Sequence, residues 1–232
     1  MAGNSQVEKK IIGTLSSKSC LKQEVYDNSL ETFDTLKNVL QEITVDFNSQ
    51  LLERDERVRL EYTDNGVFVT QLRVAADLLI FSMHTNIFEF DRDHKIWETE
   101  YMKNDPTNSY CGIISVYNFL VDSFKYNRME DLGYLIARIF INKNHHFFVE
   151  GKRQAAYQYK NFGKAEIDIN ILRKVIANAM GYSLEFDLLV PPYENVKIAS
   201  VGHLTEKISI SRLKTGKRLG FKFNSDDVLE DK

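Results

Sequence analysis

Between positions 30 and 51 the apolar residues recur at spacings of three and four: Leu30, Phe33, Leu36, Leu40, Ile43, Phe47 and Leu51. A helix turns once in about 3.6 residues, so these positions form one stripe. The stripe predicts a long helix capped at its start by Asn28 or Ser29, with Glu31 and Asp34 at the positive end of its dipole. Past residue 56 the period changes to two. Residues 57–62 alternate polar and apolar, Asp64-Asn65-Gly66 tolerates positive φ, and residues 67–72 return, which together predict a hairpin. Residues 78–84 and 87–90 read as further strand, or as one long bent strand. Asp91-Arg92-Asp93-His94 reads as a polar turn, and residues 95–101 alternate again.

Asp105-Pro106-Thr107 predicts a second helix, with proline in its first turn and a stripe of Tyr110, Ile113, Ile114, Tyr117, Leu120, Val121 and Phe124. Residues 134–141 and 145–150 read as two strands around the turn Asn142-Lys143-Asn144. An alternative reading makes 134–140 part of a helix that starts near Met129. A third helix over 168–180 turns Ile171, Leu172, Val175, Ile176 and Ala179 inward and ends on a left-handed cap at Gly181. Residues 184–190 and 196–201 read as strands, and 208–223 as a short hairpin around Thr215-Gly216. The sum is an α+β chain: a long N-terminal amphipathic helix packed on a mainly antiparallel sheet, with two further helices. Residues 1–223 are expected to form a single domain, followed by an acidic, frayed tail at 224–232.

Composition narrows the class. With 43% hydrophobic and 12% aromatic residues among 232, and few prolines and glycines, the chain can build a core and carries no long linker. No signal-peptide core follows the first residues, and the apolar runs fall short of the roughly 20 residues of a membrane span. The expectation is a soluble, cytoplasmic protein with no membrane partner. Cys20 and Cys111 stand apart and are expected to be inert thiols rather than a disulfide.

Net charge is only −3, but it is unevenly placed. Nine acids lie between Lys22 and Glu56 against Lys22, Lys37 and Arg54, whereas Lys207, Arg212, Lys214, Lys217, Arg218 and Lys222 face no acid between them. That asymmetry predicts an acidic and a basic face. It also permits a structural subunit in which the two meet across a homo-oligomer interface.

Phosphate-binding glycine loops, nucleophile elbows and zinc spacings are absent from the sequence. The richest stretch is 143–164, where Lys143, Lys152, Arg153, Lys160 and Lys164 interleave with His145, His146, Phe147, Phe148, Tyr157, Tyr159 and Phe162. Cations meet phosphates and rings stack on bases, so this pattern predicts contact with single-stranded nucleic acid, a nucleotide or another polyanion. Solvated lysines on an edge strand are the plainer reading of the same residues. Gly151-Lys152-Arg153 and Gly216-Lys217-Arg218 each place a basic pair after glycine and would make one anion site if the fold joined them.

The expected function is a non-catalytic binding or regulatory protein, with Lys143, His145, Lys152, Arg153, Tyr157, Tyr159, Lys217 and Arg218 as its binding residues and no metal or other cofactor. The alternative is a metal-dependent nuclease or phosphodiesterase. There Glu150, in Glu150-Gly151-Lys152, would hold Mg²⁺ while Lys152 positions water, provided a second carboxylate converges on the metal. Asp91, Asp93 and Glu98 are candidate paired carboxylates, but Asp91 and Asp93 flank a tight turn, where Asp bonds its own backbone, and the structural reading is the better one.

Overall fold

The computed structural model describes residues 2–51, 55, 58–129 and 131–185. A helix runs from near the N-terminus: α1 (Ala2–Thr14), a wider π-helical turn at Leu15–Ser19, and α2 (Cys20–Gln50). The helix therefore begins well before Asn28 and Ser29, and neither caps it. Asn28 Nδ2 instead donates to the Lys143 carbonyl (2.7 Å), and Ser29 Oγ donates to the Val25 carbonyl (2.6 Å). Ser29 also lies close against the sheet, since a Cβ added to Gly112 would lie 1.9 Å from its hydroxyl. Only glycine lets this helix lie so near the strand.

Seven described strands form one antiparallel sheet: β1 (Leu60–Asp64), β2 (Val69–Val74), β3 (Asp77–Met83), β4 (Phe88–Glu89), β5 (Tyr110–Leu120), β6 (Tyr134–Asn142) and β7 (Phe147–Gly151). Their order is β1-β2-β3-β5-β6-β7, a meander, and β4 continues along β5 beyond the end of β3. The bent strand expected over 78–90 is thus β3 and β4, both paired to β5. The Asp64 turn forms as expected, with Asp64 Oδ1 accepting from the Gly66 N–H at 2.9 Å.

Two corrections concern segments whose pattern misled. The stripe from Tyr110 to Leu120 belongs to a strand, β5, and only α4 (Val121–Lys125) is helical. A strand covered on both faces reads as a nearly continuous apolar run, which a helical template also fits. Residues 95–101 are not a strand. Lys95–Glu98 is a 3-10 turn whose start is held by His94 Nδ1, which accepts from the Ile96 N–H at 3.1 Å, and α3 (Glu100–Asn104) follows. A side chain that satisfies a nearby backbone donor diverts the chain from a ladder.

The last described helix, α5 (Ile169–Glu185), lies beside α2 on one face of the sheet. It does not stop at Gly181. Its glycine leaves room for the Arg153 guanidinium, which crosses at 3.2 Å from where a Cβ would stand and pairs with Glu185. Residues 184 and 185, expected to begin a strand, are helical. The expected strands beyond them lie outside the described residues.

Between this helical layer and the sheet, the core buries Phe33, Leu36, Leu40 and Ile43 against Leu72, Leu79, Phe81, Ile114, Val116 and Ile139. Leu30 and Leu51 pack at its margin. Phe47 corrects the stripe, for it is 36% exposed. The inward place at that turn is taken by Asn48, whose amide clamps β1 by donating to the Leu60 carbonyl and accepting from the Leu60 N–H, each at 2.9 Å. A smaller cluster on the opposite sheet face joins Phe140 and Phe148 to Ile96, Met102, Cys111 and Phe162. Cys111 is buried there and burial pushes its thiol up, while Cys20 is exposed, so only one thiol is sequestered. Among the described residues no helix is long and apolar enough to cross a membrane.

Candidate functional site

The sheet face away from α2 and α5 carries an open cleft of about 640 Å³, within the size range of small-ligand sites. Its floor is a pair of cross-strand neighbours. Arg138 on β6 is in register with Glu150 on β7, and their side chains lie 3.6 Å apart. Beside them Phe140 and Phe148 stack with ring centres 4.5 Å apart, and Phe90 leans on both. One wall is β4 with the turn after it, bringing Phe88, Glu89, Asp91, Asp93, His94 and Lys95. Tyr159 closes the other side, its ring edge-on to His94 at 6.0 Å.

Four carboxylates therefore border the cleft against Lys95 and Arg138. Two are engaged: Glu89 with Arg92 at 3.1 Å, and Glu150 with Arg138. Asp91 and Asp93 make no side-chain ion pair among the described residues. The turn itself is rigidly placed. Asp91's carbonyl accepts from the His94 N–H (3.0 Å) and from Trp97 Nε1 (2.8 Å), and the Arg92 guanidinium lies 4.2 Å over the Trp97 ring. Carboxylates beside aromatic faces suit a cationic group, which gains from the charge and from the ring quadrupole together.

The expected binding residues do not converge here. Tyr159 lines the cleft. Tyr157 instead packs against Phe147 at 5.6 Å, on the core side. Lys143 is committed internally, its ammonium donating to Asp105 Oδ2 and Thr107 Oγ1, each at 2.6 Å. His145 sits in the β6–β7 turn with a left-handed backbone, φ 54°, and its carbonyl accepts from the Ile167 N–H. Its neighbour His146 meets the Tyr101 hydroxyl through Nδ1 at 2.6 Å, and that hydroxyl also accepts from the Asn142 and Asn144 amides. Arg153 pairs with Glu185 across α5. Lys152 is exposed at the end of β7. Lys217 and Arg218 lie outside the described residues.

Glu150, named for the nuclease alternative, faces Arg138. Among the described residues no three His, Cys, Asp or Glu side chains come together to hold a metal ion. Sequence reasoning passed over Asp91 and Asp93 because a polar turn explains two aspartates by itself. The signal that could have singled them out was Phe88 and Phe90 immediately before an acidic turn, since two rings beside carboxylates are unusual for a turn alone; Phe88 is exposed and Phe90 half-buried. No protein-family model, no curated protein and no solved structure matches the chain.

Proposed function

We propose that the protein is a non-catalytic binding or regulatory protein that recognises a cationic group, such as the basic side chains of a peptide, in the cleft between β4 and Tyr159. The carrying observation is the pair Asp91 and Asp93, which have no ion pair among the described residues and stand on an aromatic wall. The chain's sole tryptophan, Trp97, is bonded to the Asp91 carbonyl and reports on that wall. Adding an arginine-rich nonapeptide to the full chain should change Trp97 fluorescence, and 0.5 M salt should weaken the effect. Each exposed ion contact contributes about 0.5–1 kcal/mol, so Asp91→Asn with Asp93→Asn should weaken binding about five- to thirtyfold. A peptide that leaves the fluorescence unchanged up to millimolar concentration would end this reading.

The polyanion reading keeps one favourable observation: Lys152 is exposed beside Arg153, with no ion pair among the described residues. Lys217 and Arg218 would have to join them. Retention of an oligothymidine at low salt, lost when all four charges are reversed, would support it. The same oligonucleotide passing through unretained would remove it.

A further inference from the structure

We infer that the cleft takes a residue carrying a cation and a free carboxylate together, the chemistry of arginine or of a peptide's C-terminal arginine, and that Arg138 receives the carboxylate. The inference rests on the cation preference proposed for the cleft and names a second group of the same ligand. Arg138 stands on the cleft floor with its side chain 37% exposed. Its ion partner among the described residues is Glu150, and the approach is one-sided. Nη1 lies 3.6 Å from Glu150 Oε2, beyond hydrogen-bonding distance. By contrast, Arg73 closes on Glu61 at 2.8 Å and Arg128 on Asp131 at 2.9 Å. The guanidinium carbon also lies 5.9 Å from the centre of the Phe140 ring, which is a charge–ring contact rather than a hydrogen bond. The Nε–Nη2 edge of Arg138 therefore has no partner among the described residues. Such an edge matches a carboxylate as two parallel hydrogen bonds.

The floor thus offers donors where the wall offers acceptors. Asp91 and Asp93 border the same cleft and have no ion pair among the described residues. The rings of Phe90, Phe140 and Tyr159 are there too, and they suit the methylenes that join a ligand's two charges. A ligand that is only cationic gains from the wall and is repelled by Arg138 and Lys95. A ligand with a carboxylate as well gains from both. The two cases differ in sign. Amidating a basic peptide's C-terminus removes a negative charge, so attraction to the acids alone would tighten its binding. Loss of the Arg138 fork would weaken it.

The test is calorimetric titration of the full chain with an arginine-rich nonapeptide ending in arginine, as the free acid and as the C-terminal amide. The acid should bind about tenfold more tightly, the worth of a charge-assisted hydrogen-bond pair. Arg138→Gln should abolish that preference, and Arg138→Lys, which keeps the charge but not the fork, should retain only part of it. Competition identifies the source of the group. Free arginine that displaces the acid peptide far better than agmatine, its decarboxylated form, assigns the site to the amino acid. Displacement by the peptide acid alone assigns it to a chain end. Either result supports the inference. If the parent chain binds the amide as tightly as the acid or more so, or if Arg138→Gln keeps the preference for the acid, the inference fails and the cleft's cation preference stands. If neither peptide binds up to millimolar concentration, both fail. Circular dichroism spectra of the two variants, matched to the parent, establish that they fold.

Discussion

Asp105 and Lys143 show how a residue that reads as recognition chemistry becomes part of the frame. Lys143 and Thr107 hydrogen-bond the Asp105 carboxylate and hold it at about 2, well below the usual carboxylate range. A depressed carboxyl contributes stability that is present above its unfolded value near 4 and is lost as pH falls toward 2. The Asp105 side chain is 41% exposed, so solvent screens the pair and the contribution is about 1 kcal/mol. Urea unfolding of the parent chain should therefore show an extra loss of about that size between pH 5 and pH 2, relative to Lys143→Met. Equal pH dependence in the two chains would show that the pair contributes nothing. The reach from Lys143 to Asp105 crosses 38 positions of sequence, and no local pattern at either end announces it.

The long helix separates two kinds of apolar position along a single element. Phe33 is fully buried, so Phe33→Ala should cost about 3–5 kcal/mol, whereas Phe47→Ala should cost less than about 1.5 kcal/mol because its ring is already partly in water. Thermal unfolding of the two variants checks the contrast, and similar losses would contradict it. Periodicity made Phe33, Leu36, Leu40 and Ile43 legible as core. It could not show Asn48 taking the inward place at the next turn, because the reason is its bond to a strand that follows in the chain. The hairpin at Asp64 was legible from turn chemistry alone; the turn at Asn142-Lys143-Asn144 was legible too, but the pattern of 134–140 also fitted a helix, and the segment is strand β6. β5 was not, since burial from both sides erases the alternation that marks a strand. The cleft was least legible of all: Glu150, Asp91 and Tyr159 meet only once β4, β7 and the loop after it are stacked on one face.

At the scale of the whole molecule, the strand order follows the chain order, and that bears on how the protein folds in time. Most neighbouring strands meet after short loop closures, which are fast; β3 and β5 are the exception, with residues 84–109 between them. The contact of α2 with α5 is different: it joins residues on the order of a hundred positions apart, and its closure entropy is met last. Ile139 pairs with Ile114 on β5 and Val149 on β7, and Leu172 is buried where α5 packs down. Replacing either with alanine should cost about 2–5 kcal/mol at equilibrium. Stopped-flow kinetics should divide that cost differently. Ile139→Ala should mainly slow folding, while Leu172→Ala should mainly speed unfolding, with a φ-value below about 0.3. A high φ-value at Leu172 would mean that the two helices meet before the sheet is built. If the expected order holds, α5 is the part of the fold that comes away first, and its detachment also releases the Arg153–Glu185 pair at the end of β7.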